Sequence, residues 1–356
     1  MAKGKRILIC PLDWGLGHAT RCIPIIRLLQ QKGAEVIIAA DKRPAELLKK
    51  EFPHLKHILL KGYEIQYPKK GSMIFAMLRS IPKIIKGIKA ENEDLSEIIK
   101  KHQINVVISD NRYGCWNANT KNIFITHQLM IKSPFGENTL HRIVSKYIDQ
   151  FDECWVPDHE KEPNLSGDLS HKYPLTEKTF FIGPLTRFKP DRDQHQIEYD
   201  VMAIISGPEP QRTLFERIVS EQLFKSGLRS LVVFGLPERT KKIEQKGNVT
   251  MISHLSSDDM EQMIDRSNLI ISRSGYSTIM DLSALQKKAI FIPTPGQTEQ
   301  EYLAKELFKK NIAYYQKQSE FDLQKSIAES AKFKGFPRQD MKNLLEERVD
   351  LILSSE

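Results

Sequence analysis

Acidic excess, paired cysteines and long apolar runs are all missing from this chain. Its apolar stretches fall well short of the roughly 18 consecutive residues that cross a bilayer, so no transmembrane span is expected. The opening MAKGKRILIC places basic residues before an apolar run, as an export signal does. That run breaks within a few residues at Pro11 and Asp13, and no signal is expected. Four cysteines occur, Cys10, Cys22, Cys115 and Cys154, with neither a CxxC pair nor metal-ligand spacing. They read as reduced thiols of a cytoplasmic protein, and no bound metal is expected. Lys and Arg number 53 against 45 Asp and Glu, a net charge of +8. A basic balance admits nucleic acid, an anionic membrane surface or phosphorylated small molecules. No zinc spacing, RNA-binding aromatic motif or recognition helix accompanies it, so nucleic acid is set aside as a partner. Repeats and a disorder-prone composition are lacking too.

What the chain has is an alternation of short apolar runs and helical patterns. At 356 residues it exceeds one comfortable core and fits two domains. RILIC (6–10) reads as a buried strand and GLGH (15–18) as a loop. ATRCIPIIRLLQQKG (19–33) reads as a helix stopped by Gly33, and EVIIAA (35–40) as a second strand. Strand, helix and strand within about 35 residues make a βαβ unit and hence a parallel sheet. INVVISD (104–110), NIFITH (122–127) and ECWVPD (153–158) add strands ending in polar residues, the edge from which ligand loops emerge. The pattern restarts at DVMAIISG (200–207), a strand entering a Gly/Pro loop, and continues through SLVVFG, VTMISHL, NLIISRSG and AIFIPTPG. The expected fold class is α/β, with two Rossmann-like doubly wound domains facing a cleft. Residues 1–188 are assigned to the first domain, 189–199 to a linker, 200–335 to the second and 336–356 to a closing amphipathic helix.

Within this frame, RSGYS (273–277) follows a strand and opens a helix near Ser277 or Thr278. Gly275 gives the turn an uncommon backbone angle or a close ligand approach. The helix start offers N–H groups and a positive dipole end to an anion, and Arg273, Ser274, Ser277 and Thr278 add donors. Asp281, one turn on, can accept hydrogen bonds from ribose hydroxyls. An ordinary glycine turn explains the same spacing. GLGHATR (15–21) sets Gly17 and His18 at a strand edge, where a neutral imidazole can take a proton from a hydroxyl. An incidental loop histidine is the competing explanation. ISDNRYG and THQ bring Asp110, Arg112, His127 and Gln128 to other strand ends, with Asp110 as a base or as the group orienting one. Plain loop hydrogen bonding accounts for these too.

Asp191-Arg192-Asp193 fits a metal–diphosphate DxD pattern, but it follows Pro190 in a charged linker and is set aside. SMIFAMLRSIPKIIKGIKA (72–90) is basic and amphipathic. Ile74, Met77, Leu78, Ile81, Ile84, Ile85 and Ile88 share a face opposite Arg79, Lys83 and Lys86. That face lies either on the core or on an anionic membrane surface. Pro82 kinks or splits the helix.

RSGYSTIMD followed by FIPTPGQTEQEYLA resembles the nucleotide-sugar site of the glycosyltransferase family that includes the peptidoglycan N-acetylglucosaminyltransferase. IGPLTR (182–187), SGPEPQRT (206–213) and ISHLSSDDMEQMIDRSN (252–268) resemble three further landmarks in the same order. The resemblance implies the GT-B fold. It implies that Arg187, Ser206, Gly207, Arg212, Arg273, Ser274, Gly275, Ser277 and Thr278 surround a donor diphosphate, that Asp281 holds the ribose, and that Leu255 or Ser256 reads the uracil. Gln300 and Glu301 take the positions of a glutamine pair on the donor sugar, with Gln297 beside them. His18, with Asp110, becomes the catalytic base, and Gly17 belongs to its loop. Arg21, Arg112, His127 and Gln128 line the acceptor side. The run Gly-x-Gly-His-x-x-Arg is itself closer to the related UDP-sugar hydrolase of pseudaminic acid synthesis. The expectation is an inverting, metal-independent transferase without a cofactor. It moves an N-acetylhexosamine from a UDP-sugar to a carbohydrate or lipid-linked acceptor, in the cytoplasm or at the inner face of the membrane. Hydrolysis of the UDP-sugar and its non-catalytic binding are the alternatives.

Overall fold

The computed structural model describes residues 4–62, 73–132, 136–188, 196–338 and 344–354, without the side chains of 73–81. The DxD triplet at 191–193 lies outside the described residues, as do the side chains of the first half of the 72–90 segment's apolar face. The chain divides into two compact units at Leu185 and Thr186, and its C-terminal end returns to the first unit.

The N-terminal unit runs β1 (Arg6–Pro11), α1 (Leu16–Gln31), β2 (Glu35–Ala40), α2 (Lys42–Glu51), β3 (Lys56–Leu59), α3 (Met73–His102), β4 (Val106–Asp110), β5 (Lys121–Ile125), α4 (Glu137–Ile148), β6 (Glu153–Val156), the short α5 (Asp168–His171) and β7 (Thr179–Phe181). Its described strands form one parallel sheet in the order β3-β2-β1-β4-β5-β6-β7. Central strands such as β1 and β4 are apolar without alternation because helices cover both faces of a parallel sheet. Leu8, Cys10, Ile37, Val107 and Cys115 pack with Leu95 and Ile99 of α3 on one face. Near the other end, Phe124 packs with Phe151, Val144 and Ile148. GLGH is not a loop: α1 starts at Leu16, so Gly17 and His18 lie in its first turn. The preceding loop is packed closely. The Asp13 carboxylate occupies the place where a Cβ on Gly62 would sit, and it holds Lys42 Nζ at 2.7 Å.

The C-terminal unit runs β8 (Tyr199–Ile204), α6 (Gln211–Ser226), β9 (Ser230–Val233), β10 (Ile243–Lys246), β11 (Val249–Ile252), α7 (Ser257–Asp265), β12 (Ser267–Ser272), α8 (Tyr276–Ala284), β13 (Ala289–Phe291), α9 (Thr298–Lys309), β14 (Tyr314–Tyr315) and α10 (Leu323–Ser330). Its described strands are ordered β10-β11-β9-β8-β12-β13-β14, parallel except for the β10–β11 hairpin. Val201, Ala203, Phe215, Val219, Val232, Ile271 and Ile290 form its core. The last helix, α11 (Leu344–Ser354), belongs to the N-terminal unit. It buries Val349 and Ile352, ties Glu346 to Lys32 at 2.6 Å, and lays Arg348 over the Phe180 ring at 3.7 Å.

Candidate active site

Strand order sets the first cluster. β4 lies between β1 and β5, so the C-terminal ends of these three strands are side by side. His18 and Arg21 come from the first turns of α1, Asp110 closes β4, and His127 follows β5. Asp110 is fully buried, and Arg21 clamps both of its oxygens through Nε and Nη2. His18 Nδ1 lies 2.9 Å from Asp110 Oδ1, and Cys22 Sγ lies 3.7 Å from Oδ2. Arg21 Nη1 donates to His127 Nδ1 at 2.9 Å, since a guanidinium cannot accept. Burial pushes the Asp110 carboxyl up, but the Arg21 guanidinium and then His18 overcome this and hold it at about 2. Asp110 is therefore a permanent anion near neutral pH and orients its neighbours rather than taking protons. The His18 side chain, 18% exposed, is the member of the cluster that reaches solvent.

Two arginines expected on the acceptor side are turned inward. Arg21 is 2% exposed and spends its guanidinium on Asp110, His18 and His127. Arg112 is fully buried: its Nε pairs with Glu91 of α3, and its Nη atoms donate to the carbonyls of Leu60 and Lys61. Glu91 also accepts from Gly114 N at 2.9 Å. Arg112 is thus an anchor that joins α3 to the β3 and β4 loops. His127 is buried at 4%, whereas Gln128 stays half-buried and donates its backbone N–H to Thr126 Oγ1.

The C-terminal unit repeats the arrangement. β12 lies between β8 and β13, and the residues following these strands converge. Gly207, beyond β8, has φ +110°, which a side chain seldom permits. A Cβ there would stand 3.7 Å from Thr294 Oγ1 and 4.0 Å from Arg273 Nε. Both of those atoms are buried and lack a hydrogen-bond partner among the described residues. The rest of the Arg273 guanidinium is committed. Nη1 donates to the carbonyls of Ile292 and Pro293, and Nη2 to Gln211 O and Gln318 Oε1, over the Phe215 ring. No carboxylate among the described residues pairs with it, and burial pulls its pKa well below the ordinary arginine value. Arg273 is accordingly a buried cation beneath the Gly207 loop, presenting a single N–H rather than a fork.

Other expected donor residues divide into structural and accessible groups. Gly275 has an ordinary φ of −73° and directly precedes α8, which starts at Tyr276 rather than Ser277 or Thr278. A Cβ there would meet only Gln300 Nε2, at an ordinary contact distance of 4.0 Å. Ser274 Oγ donates to Gln300 O, Gln300 Oε1 accepts from Thr294 N, and Glu301 accepts from Gly296 N. These bonds fix the β13–α9 turn. Arg212 is held by Glu209, Glu216 and the Phe234 carbonyl, so its guanidinium is committed to these acceptors. Ser256 caps α7 through Asp259 N, beside half-buried Leu255. Ser206, Ser277, Thr278 and Gln297 are half-buried. Asp281 accepts from Thr186 Oγ1 at 2.9 Å and lies 3.6 Å from Arg187 Nε. Burial pushes its carboxyl up to about 6 against the pull of Arg187 and Thr186. Thr294 and Thr186 were not singled out from the sequence, although the quoted FIPTPG and IGPLTR stretches contain them.

Residues 213–354 match the glycosyltransferase family 28 C-terminal domain. The chain carries this domain and is a glycosyltransferase of GT-B fold. An uncharacterized glycosyltransferase of Methanosarcina acetivorans is 25% identical over 319 residues, covering 83% of this chain and 81% of the relative. The UDP-N-acetylglucosamine–N-acetylmuramyl-(pentapeptide) pyrophosphoryl-undecaprenol N-acetylglucosamine transferase of Histophilus somni is 24% identical, covering 91% and 88%. The MurG structure of Acinetobacter baumannii superposes with a TM-score of 0.54 at 15% identity, covering 98% of this chain and 99% of that one. In this glycosyltransferase the match to family 28 spans the Gly207-side helix α6, the α8 turn and α11. No helix among its described residues is long and apolar enough to cross a membrane.

Proposed function

We propose that this glycosyltransferase takes a UDP-sugar as donor, with an N-acetylhexosamine as the sugar, and transfers it with inversion to a carbohydrate or lipid-linked acceptor. The observation that carries the reading is the buried Arg273 cation without a carboxylate, whose Nε shares with Thr294 Oγ1 the point above Gly207. A buried charge without a counter-charge is costly, and a diphosphate is the anion that supplies one. Backbone N–H groups at the start of α8, whose N-cap Gly275 offers no side chain, add a positive dipole end. This positive environment lets the leaving diphosphate depart without a metal ion. Asp281 receives the ribose hydroxyls.

His18 then removes the acceptor hydroxyl proton through Nε2. The acceptor oxygen bonds to the anomeric carbon from the face opposite UDP, and the carbon–oxygen bond to the diphosphate breaks with its electron pair. The negative charge that grows on the diphosphate is stabilised by Arg273 and the α8 terminus. The relatives' names support the UDP-sugar and the lipid-linked acceptor. A second reading, UDP-sugar hydrolysis, is favoured by Arg21 beside His18 in the Gly-x-Gly-His-x-x-Arg run. The deciding experiment incubates the enzyme with a panel of UDP-sugars, with and without lipid and sugar acceptors, and quantifies UDP and free sugar. Acceptor-dependent UDP release that persists in excess chelator supports the transferase. Stoichiometric free sugar without acceptor overturns it in favour of the hydrolase.

A further inference from the structure

His18 Nδ1 has two neighbours at the same distance, Asp110 Oδ1 and Arg21 Nη2, each at 2.9 Å. They make opposite demands. Asp110 accepts and needs a proton on Nδ1, whereas Arg21 donates and needs a lone pair there. The choice decides which ring nitrogen is left as a base.

Counting acceptors on Asp110 resolves it. An ionised carboxylate has about four lone-pair sites. Arg21 Nε and Cys22 Sγ serve Oδ2, and Arg21 Nη2 serves Oδ1. A proton on His18 Nδ1 fills the fourth site. The opposite tautomer would set a nitrogen lone pair against a buried anionic oxygen at 2.9 Å. Arg21 Nη2 loses little, because it is already bound to Oδ1.

We infer that Arg21 is a positioning residue for the base. It closes on Asp110 from both sides, so that Oδ1 alone is turned to His18 Nδ1, and the Nε2 lone pair faces outward. Its remaining nitrogen is anchored on His127 Nδ1, which keeps the fork from rotating about the carboxylate. The groups facing His18 are therefore Arg21 from its own helix and Asp110 from β4, with Cys22 and His127 one contact further away. The motif arginine acts through the carboxylate rather than on the acceptor.

The catalytic consequence rests on His18 being the base, but the tautomer can be read without turnover. Long-range proton–nitrogen NMR of the ¹⁵N-labelled full chain should show His18 as one tautomer with its proton on Nδ1. Arg21→Met should give a mixture of tautomers and lower kcat about tenfold or more, with the KM for the donor within a few-fold. Arg21→Lys retains a cation against Asp110 without the fork, and should recover stability but only part of kcat. It serves as the readable variant if Arg21→Met does not fold. A wild-type His18 with its proton on Nε2, or an Arg21→Lys variant with the wild-type tautomer and full kcat, overturns the assignment. Failure of the base reading would appear separately, as wild-type turnover in His18→Ala.

Discussion

His18 on α1 and Asp110 on β4, 92 residues apart, meet at 2.9 Å with the carboxylate completely enclosed. Asp110 cannot serve as the proton acceptor at neutral pH, because Arg21 and His18 hold its carboxyl at about 2. Changing either residue should therefore lower turnover, His18 as the group that takes the proton and Asp110 as the one that orients it. His18→Ala should lower turnover by about 10²–10⁴ and leave UDP affinity within a few-fold. Asp110→Asn keeps the shape but presents an N–H to Nδ1, so turnover should also fall while the ring stays in place. Isothermal titration with UDP alongside steady-state rates checks both. Asp110 also bears on acid stability. Its folded value lies below the ordinary 3.8, so its contribution is fully present above that pH and is lost as pH falls through about 2.

Arg112 and Glu91 form a buried ion pair that ties α3 to two strand-end loops. Removing one partner leaves the other charge buried and unpaired. Arg112→Met should cost about 3–5 kcal/mol of stability, read as a large fall in Tm. An acceptor contact would behave otherwise, with unchanged Tm and a raised acceptor KM. That second result would return Arg112 to the acceptor surface.

The strands were readable because both faces of each sheet are covered, which makes β1, β4, β8 and β12 continuous apolar runs. The meeting of His18 with Asp110 was readable as two strand-end polar residues, but their contact depends on β1 and β4 being neighbours, which no local pattern encodes. The arginines misled for the same reason. Arg21 and Arg112 stand beside motif glycines or serines, and their buried partners, Asp110 and Glu91, come from elsewhere in the fold, whereas Arg212 pairs with the exposed Glu209 three residues before it. The start of α1 was hidden by Gly15 and Gly17, whose low helix propensity is overridden by docking against β1. The uncommon backbone angle expected at Gly275 is found at Gly207 instead.

The described part of the 72–90 segment is less enclosed than a core helix. Ile85 is 54% exposed, Ile84 and Ile88 are half-buried, and Lys83 and Lys86 lie on the surface. Apolar side chains flanked by lysines suit an anionic lipid surface. The enzyme should float with vesicles containing anionic lipid and remain below neutral ones. Ile85→Glu should abolish flotation without changing Tm by more than a degree or two, since the residue is exposed. Absence from anionic vesicles at all salt concentrations would remove the membrane reading of this segment.

Asp281 gives a pH signature of the proposed donor site. Burial raises its folded value to about 6 although Thr186 and Arg187 pull it down. The ordinary value is 3.8, so the folded chain binds this proton more tightly than the unfolded chain does. Stability associated with the group is present at acid pH and is lost as pH rises through about 6. Asp281→Asn should therefore raise Tm at pH 7–8, by up to about 3 kcal/mol in stability, and change it little near pH 4. The same substitution should weaken UDP binding about tenfold, because a carboxylate accepts ribose hydroxyl bonds more strongly than an amide does. In the unaltered enzyme UDP affinity should increase from pH 5 to 7 as the carboxyl and the terminal phosphate of UDP ionise, and the variant should keep only the phosphate's share of that slope. Calorimetric titration of UDP across this range, paired with thermal melts, measures both. Equal UDP affinity in the two proteins at pH 7.5 would take Asp281 out of the ribose site, whatever the melts show.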